Sequence, residues 1–274
     1  MTNEPNPDLL FAGSIPALYE QYLVPMIFQP YADDLGRRAA ATGAQTVLEL
    51  AAGSGAVTRV LAQVLPESVA ITATDLNPPM IAHAQAVGTT RPVTWRQADA
   101  LDLPFEASTF DTVVCQFGVM FFPDRVKAMS EMHRVLKPGG TVIFNTWDSV
   151  ETSEFAHTVN DVLAEVFAGD PPTFMQRVPH GYHDAEVIRA DMAAGGFSGV
   201  VVIDELEKRS IAASADIPAI GFCKGTPVRN EIERRDASRL GEITARSSEA
   251  LRERFGSGPI EGRLRAYVVT AAKE

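Results

Sequence analysis

The stretch Thr46-Val47-Leu48-Glu49-Leu50-Ala51-Ala52-Gly53-Ser54-Gly55 decides the fold. Thr46 to Leu50 is apolar or β-branched apart from Glu49 and reads as a buried strand. The glycines end it, and Val57, Val60, Leu61, Val64 and Leu65 then recur at helical spacing. The segment is a strand, a glycine turn and a helix in direct succession.

The same unit repeats on the C-terminal side. A second strand runs from Val69 to Thr74 and ends at Asp75, and Pro78 opens a helix to about Val87, since proline suits a first helical turn. Val93 to Arg96 is a third strand and Phe110 to Phe117 a fourth. Asp124 to Leu136 reads as a helix stopped by Pro138-Gly139-Gly140, with a fifth strand from Thr141 to Trp147. Such alternation predicts an α/β fold, a parallel sheet with helices on both faces joined by right-handed crossovers. Beyond Trp147 the pattern gives helices at about 152–168 and 184–194, a strand from Val200 to Lys208 and a last strand from Leu264 to Thr270. The helical stretch at about 214–255 reads as a cap inserted between them. No Gly/Ser-rich linker or internal repeat divides the chain, so residues 1–274 are expected to form one domain. Within it, 1–40 is an N-terminal helical lid, 41–150 the binding core, and 151–274 the rest of the sheet with the cap.

The 274 residues are 46% hydrophobic and 22% charged, an ordinary globular balance. The formal net charge of −11 repels phosphate backbones and argues against a nucleic-acid partner. Residues 205–274 carry 13 basic and 11 acidic side chains, so the acidity sits earlier in the chain. Two cysteines, Cys115 and Cys223, are too few for a disulfide framework. The opening Met-Thr-Asn-Glu-Pro-Asn-Pro-Asp lacks the basic and apolar regions of a secretory signal, and no run of 18 apolar residues predicts a membrane span. These features lead us to expect a cytoplasmic protein.

In an open parallel sheet, ligands bind beyond the carboxyl ends of the strands, beside the first strand-to-helix turn. A nicotinamide-dinucleotide site has a third glycine where this chain has Thr58. Glu49, just before the loop, would repel a pyrophosphate but suits an ammonium group, such as that of a methionine moiety. Asp75 lies 20 residues after Gly55, the spacing at which a carboxylate accepts hydrogen bonds from ribose hydroxyls. Asp99, in Gln97-Ala98-Asp99-Ala100, is placed to accept from an adenine amino group. Phe117, Phe121 and Phe122 follow the fourth strand, where an aromatic face would attract a sulfonium.

At these residues the chain resembles the class I S-adenosylmethionine-dependent methyltransferases, in the branch related to ubiquinone and menaquinone biosynthesis (methyltransferase type 11-like). The resemblance covers about residues 15–147. Val47 to Gly55 matches the first motif, Ala73-Thr74-Asp75-Leu76-Asn77-Pro78-Pro79-Met80 the ribose motif and Asp99-Ala100-Leu101-Asp102-Leu103-Pro104-Phe105 the adenine segment. Phe110-Asp111-Thr112-Val113-Val114 and His133-Arg134-Val135-Leu136-Lys137-Pro138-Gly139-Gly140 complete the set. It implies a Rossmann-like, seven-stranded, mostly parallel sheet whose last strand is antiparallel. It further implies that S-adenosyl-L-methionine, or the product S-adenosyl-L-homocysteine, is held by Glu49, Ala51, Gly53, Gly55, Asp75, Leu76, Met80, Asp99 and Ala100. Gln116 would lie at the methionine end, and Tyr19 would close over the cofactor.

Each assignment competes with a plainer one. The glycines serve any tight turn, Asp75 suits a helix N-cap, Asp99 suits a loop, and Tyr19 suits helix packing. Cys115 lies in an apolar strand and reads as core. Asn77-Pro78-Pro79-Met80 imitates the signature of methyltransferases that act on amino groups of bases and on glutamine, but that signature follows the fourth strand, not the second. Acid-led i,i+4 pairs, Glu231 with Arg235 and Glu242 with Arg246, make the Arg-rich 229–254 stretch a solvated helix face rather than a nucleic-acid surface. No His/Asp/Glu cluster has metal-ligand spacing.

The expected activity is methyl transfer to a small, apolar or aromatic acceptor, by a monomer or homodimer. The alternatives are a non-catalytic S-adenosylmethionine-binding protein acting through a partner and, more distantly, a nicotinamide oxidoreductase. No catalytic residue is assigned; His180 and His183 are candidate bases. Phe117, Trp147 and Phe222 are candidate acceptor-pocket side chains, with Gln116 and Trp147 at adjacent strand ends supplying polar groups. Leu18, Tyr22, Met26, Ile27, Phe28, Phe174, Met175 and Ile220 supply the apolar character of the lid and cap.

Overall fold

Val47, Leu48 and Leu50 are buried, as a strand covered on both faces requires. The computed structural model describes residue 8 and residues 13–274. Its strands are β1 (Thr46–Leu50), β2 (Ala70–Asp75), β3 (Thr94–Gln97), β4 (Phe110–Gln116), β5 (Leu136–Trp147), β6 (Val201–Ala212) and β7 (Ile260–Ala272). They form one seven-stranded sheet in the order β3-β2-β1-β4-β5-β7-β6. Leu48 pairs in parallel with Thr72 on one side and Val113 on the other. Asn145 faces Val268, because β7 runs antiparallel to β5. The strand order reverses between β1 and β4, which makes their carboxyl ends the crevice in which an open sheet binds ligands.

The helices are α1 (Ile15–Leu18), α2 (Gln29–Ala41), α3 (Ala56–Val64), α4 (Pro78–Val87), α5 (Arg125–Val135), α6 (Glu154–Val166), α7 (Phe174–Arg177), α8 (Ala185–Ala194), α9 (Asp216–Lys224), α10 (Val228–Asp236) and α11 (Leu240–Phe255). Between α1 and α2 the chain winds as a π-helix, Tyr19–Phe28, with Pro25 inside it. Asp124 caps α5 by accepting from the Lys127 amide, and Asp184 caps α8 in the same way. Among the described residues no helix is long and apolar enough to cross a membrane.

The chain clusters into two compact units. One comprises the chain up to Phe28, Asp148–Gly181 and Glu207–Arg265; the other comprises Gln29–Trp147, Tyr182–Leu206 and Ala266–Glu274. In the sheet unit α2 packs on α3, β4 and β5. Gly36 permits the α2–α3 approach, since a Cβ there would lie 2.4 Å from Val60 Cγ1. In the helical unit α6, α9 and α11 pack on one another, and α9 packs on the π-helix.

Several boundaries differ from the sequence reading. Pro138-Gly139-Gly140 lies inside β5 rather than ending a helix: pairing with β4 jumps from Phe110–Leu136 to Thr112–Thr141 and leaves the segment as a bulge, with Gly139 at φ +76°. β6 and β7 are longer than expected. The helix α2, placed in the lid by a division at 40, packs within the sheet unit, and lid residues 1–7 and 9–12 lie outside the described residues.

One buried carboxylate ties the loop after β3 to α5. Glu131 accepts the Leu103 amide at 2.8 Å and a two-point contact from Arg134 at 2.8 and 2.7 Å, while Arg134 also donates to the Leu103 and Phe105 carbonyls. The Arg134 guanidinium holds Glu131 down at about 2. Its stabilisation is therefore complete above the ordinary carboxylate range and is lost as pH falls through about 2. We predict that Glu131→Gln lowers stability at pH 7 by about 1–3 kcal/mol. Urea unfolding should show the two proteins converging at the acid end; a difference unchanged at low pH would count against this account.

Candidate functional site

The site begins where β1 ends. Ala51 takes a left-handed conformation at φ +50°, and the Ala52 amide donates to the Thr74 carbonyl at 2.9 Å, so the glycine loop is tied to β2 from its start. Gly53 and Gly55 have φ of +56° and +86°, which only glycine adopts without cost. Gly55 also has no room for a side chain, since a Cβ would lie 3.2 Å from both Ala84 Cβ and the Trp95 ring.

Asp75, at the end of β2, holds this loop. Its Oδ2 accepts the Gly53 amide at 2.8 Å and its Oδ1 the Asn77 amide at 2.8 Å. Burial raises its pKa, and these main-chain donors oppose the rise. Each oxygen of an ionised carboxylate has about two acceptor positions. Oδ2 retains one beyond its main-chain bond, while the second on Oδ1 takes the Asn77 side-chain amide in a long contact of 3.4 Å. Met80, also buried, packs beneath Gly53. Leu76 is exposed, next in chain to Asp75.

Glu49 is enclosed rather than open. Its Oε2 accepts the Thr58 hydroxyl at 2.6 Å, and burial pushes its pKa up to about 8 against the pull of that bond, with the negative charge of Asp75 adding to the rise. Thr58 stands where a dinucleotide loop has its third glycine, so the residue that argued against that motif serves the acid instead. Ser54 Oγ, in the same loop, is buried without a hydrogen-bond partner among the described residues.

Asp99 is exposed and its Oδ1 accepts the Leu101 amide at 2.9 Å, a loop-closing bond that leaves Oδ2 outside that contact. Ala100, beside it, is buried. The Ala98 amide donates to the Asp75 carbonyl at 3.1 Å, which sets this loop next to the end of β2. Gln116, the last residue of β4, is paired in register with Asn145 of β5.

The structure brings Glu49, Ala51, Gly53, Gly55, Asp75 and Met80 into one locality, with Leu76, Asp99, Ala100 and Gln116 at the adjoining strand ends. The rings of Phe117 and Trp147 stack on each other at 3.5 Å, and Tyr31 meets both edge-on at 5.3 Å. The three rings form a buried aromatic cluster. Tyr19 and Phe222 belong to the helical unit, where Tyr19 stacks on Phe28 at 4.7 Å and Phe222 is buried. His180, in the same unit, is buried with Nδ1 at 2.6 Å from the Asp148 carbonyl. A carbonyl only accepts, so Nδ1 carries the hydrogen and Nε2 is the basic nitrogen. His183 is exposed. Cys115 is core, with its thiol pushed up to about 12 by burial. Among the described residues no group of three or more His, Cys, Asp or Glu side chains is arranged to hold a metal ion. Sequence reasoning used Thr58 only as the missing glycine and passed over Asn145, for which a polar residue closing Val142-Ile143-Phe144-Asn145 was the available signal.

Strand order, an antiparallel β7, a glycine turn after β1 and an acid at the end of β2 define a Rossmann-like, nucleoside-binding α/β protein. Residues 48–144 match the methyltransferase domain family. A demethylmenaquinone methyltransferase of Thermus thermophilus is 31% identical over 163 residues, 56% of this chain and 74% of that protein. The chain belongs to the S-adenosylmethionine-dependent methyltransferases. An uncharacterized protein of Mycobacterium tuberculosis is 38% identical over 103 residues, 37% of this chain and 36% of the relative, so the chain spans about a third of that relative's length. A candidate methyltransferase from Bacillus halodurans shares the fold, with a TM-score of 0.56 at 20% identity over 88% of this chain and 98% of that one.

Glu49 titrates low in the unfolded chain and at about 8 in the fold, so folding is progressively disfavoured as pH rises from about 4.5 to about 8. Glu49→Gln is expected to match the wild type near pH 4.5 and to exceed its stability at pH 8 by about 1–3 kcal/mol. Urea midpoints across this range test it, and a variant less stable at pH 8 would contradict it.

Proposed function

We propose that this chain transfers the methyl group of S-adenosylmethionine to a small, substantially apolar or aromatic molecule by in-line displacement. The observation that carries the reading is the Asp75 carboxylate, fixed between the Gly53 and Asn77 amides with an acceptor position left on Oδ2 and only the long Asn77 side-chain contact of 3.4 Å on the second position of Oδ1. Oδ2, and Oδ1 once a ligand displaces that weak contact, match the vicinal hydroxyls of a ribose. The buried Glu49, protonated up to about pH 8 in the free fold, would ionise against the ammonium of the methionine part, and Oδ2 of Asp99 suits the adenine amino group. Ala51, Gly53 and Gly55 give the ligand close main-chain approach, Leu76, Met80 and Ala100 give it apolar cover, and Gln116 meets its far end.

Bound S-adenosylmethionine supplies a methyl group already activated on a sulfonium. The protein's part is to align the acceptor and exclude water, and orientation alone contributes about 7–11 kcal/mol in favourable cases. The acceptor–methyl bond forms as the methyl–sulfur bond breaks, and an acceptor that must lose its proton requires a base, for which His180 and His183 are the candidates offered by the sequence. The apolar acceptor is supported by the composition of the helical unit. Met26, Ile27, Phe174, Met175 and Phe222 are buried there, and Leu18, Tyr22 and Ile220 are half-buried. The Thermus relative is named for methylating demethylmenaquinone, which favours a quinone-like acceptor here.

The test is S-adenosylhomocysteine formation over matched apolar aromatic and highly polar acceptors. Turnover should be confined to the apolar set; preference for nucleotides or proteins would refute the acceptor class. Tight S-adenosylhomocysteine binding with no turnover would favour the non-catalytic alternative. Asp75→Asn should weaken S-adenosylhomocysteine binding by about 1–3 kcal/mol in calorimetry, because a neutral amide replaces a charged acceptor. An unchanged dissociation constant would remove Asp75 from the site.

A further inference from the structure

Asn145 is a carboxamide with no exposure, in the run Val142-Ile143-Phe144 of β5. Its Nδ2 has no hydrogen-bond partner among the described residues, while its Oδ1 accepts the Phe117 amide at 2.9 Å. Leaving one buried donor unsatisfied is unfavourable, and an apolar residue of similar size would avoid it. What the carboxamide achieves is therefore read from its acceptor side.

Phe117 is the first residue beyond β4 and takes φ +50°, a left-handed conformation that side chains other than glycine rarely adopt. β5 holds it by both amide and ring. The amide is shared between Asn145 Oδ1 at 2.9 Å and the Asn145 main-chain carbonyl at 3.2 Å, the side chain being the shorter contact, and Trp147, two residues on and so on the same face of the strand, stacks on the ring. This conformation sets Gly118 against the glycine loop, where a Cβ on Gly118 would lie 2.6 Å from Ala51 Cβ and 2.7 Å from Cys115 Sγ. Ala51 is itself the first residue beyond β1, at φ +50°. Two left-handed residues at the ends of neighbouring strands are thus locked together, and the contacts run unbroken from Asn145 through Phe117 and Gly118 to Ala51.

We propose that Asn145 is a positioning residue that holds the turn after β4, and through it the glycine loop at Ala51, in the arrangement that takes the methionine part of S-adenosylmethionine. This rests on the reading that the loop binds that cofactor. The methionine part is singled out because Asp75 and Asp99 engage adenosine at β2 and β3, so the remainder of the ligand extends over β1 and β4. Asn145 touches no ligand in this account and acts only through Phe117 and Gly118.

The experiment compares two probes, S-adenosylhomocysteine and adenosine, by calorimetry on the full chain. Asn145→Ala should weaken S-adenosylhomocysteine binding about tenfold and change adenosine binding by less than about twofold. A general loss of structure would weaken both alike, and that outcome, or no change in either, overturns the proposal. Should Asn145→Ala fail to fold, the other end of the chain of contacts decides. Gly118→Ala should weaken S-adenosylhomocysteine binding selectively, and adding Ala51→Gly should restore a substantial part of it. Independent effects of the two substitutions would overturn the coupling. Failure of the wild-type protein to bind S-adenosylhomocysteine refutes the proposed function itself, before any variant is compared.

Discussion

The geometry of the site depends on one carboxylate held between two backbone amides. Asp75 receives the Gly53 N–H from the loop after β1 and the Asn77 N–H from the turn after β2, so a single side chain sets two adjacent strand-to-helix connections relative to each other. Parallel strands cannot be joined by a tight hairpin, and the loops at their carboxyl ends need ties of this kind to share a conformation. The Ala52 amide on the Thr74 carbonyl and the Ala98 amide on the Asp75 carbonyl extend the same tie to β3. A group that organises the loops in this way is also a pre-oriented acceptor for a ligand, which lowers the ordering cost of binding.

Glu49 shows the opposite balance. Burial keeps Glu49 protonated to about pH 8, so folding at neutral pH has to take up a proton there, and Thr58 offsets only part of that opposition. The acid is thus a local conflict between stability and the use of the loop, the kind of conflict that marks a functional position. Glu131, also an acid but matched by Arg134 and the Leu103 amide, is held ionised by its partners. The two differ in that Arg134 bonds Glu131 directly, whereas Arg59 acts on Glu49 only through its charge and donates to the Ser54 carbonyl.

Legibility in the sequence followed the range of the interactions involved. The β1 loop, the end of β2 and the helix starting at Pro78 were readable because glycine conformations, strand alternation and first-turn proline are properties of a few consecutive residues. The helical stretch at about 214–255 was readable for the same reason and appears as α9, α10 and α11. The stacking of Phe117 on Trp147 was not legible because it depends on the register of β4 against β5, which no local pattern encodes. Asn145 passed unnoticed for a related reason, since its partner lies 28 residues away. The bulge at Pro138-Gly139-Gly140 was taken for a helix stop because the same residue types serve both.

The π-helix from Tyr19 to Phe28 alters the geometry of the segment expected to act as a lid. In an α-helix, residues nine apart lie on opposite sides, at about 100° per residue. With bonds from each residue to the fifth beyond it, a turn takes roughly 4.4 residues, and nine residues make close to two full turns. Tyr19 and Phe28 therefore come onto one side, and their rings stack at 4.7 Å. Pro25, which has no amide hydrogen to give to a regular α-helical ladder, sits within this widened stretch. The direction in which Tyr19 points is thus a matter of helical pitch: the same ten residues wound as an α-helix would turn its ring away from Phe28.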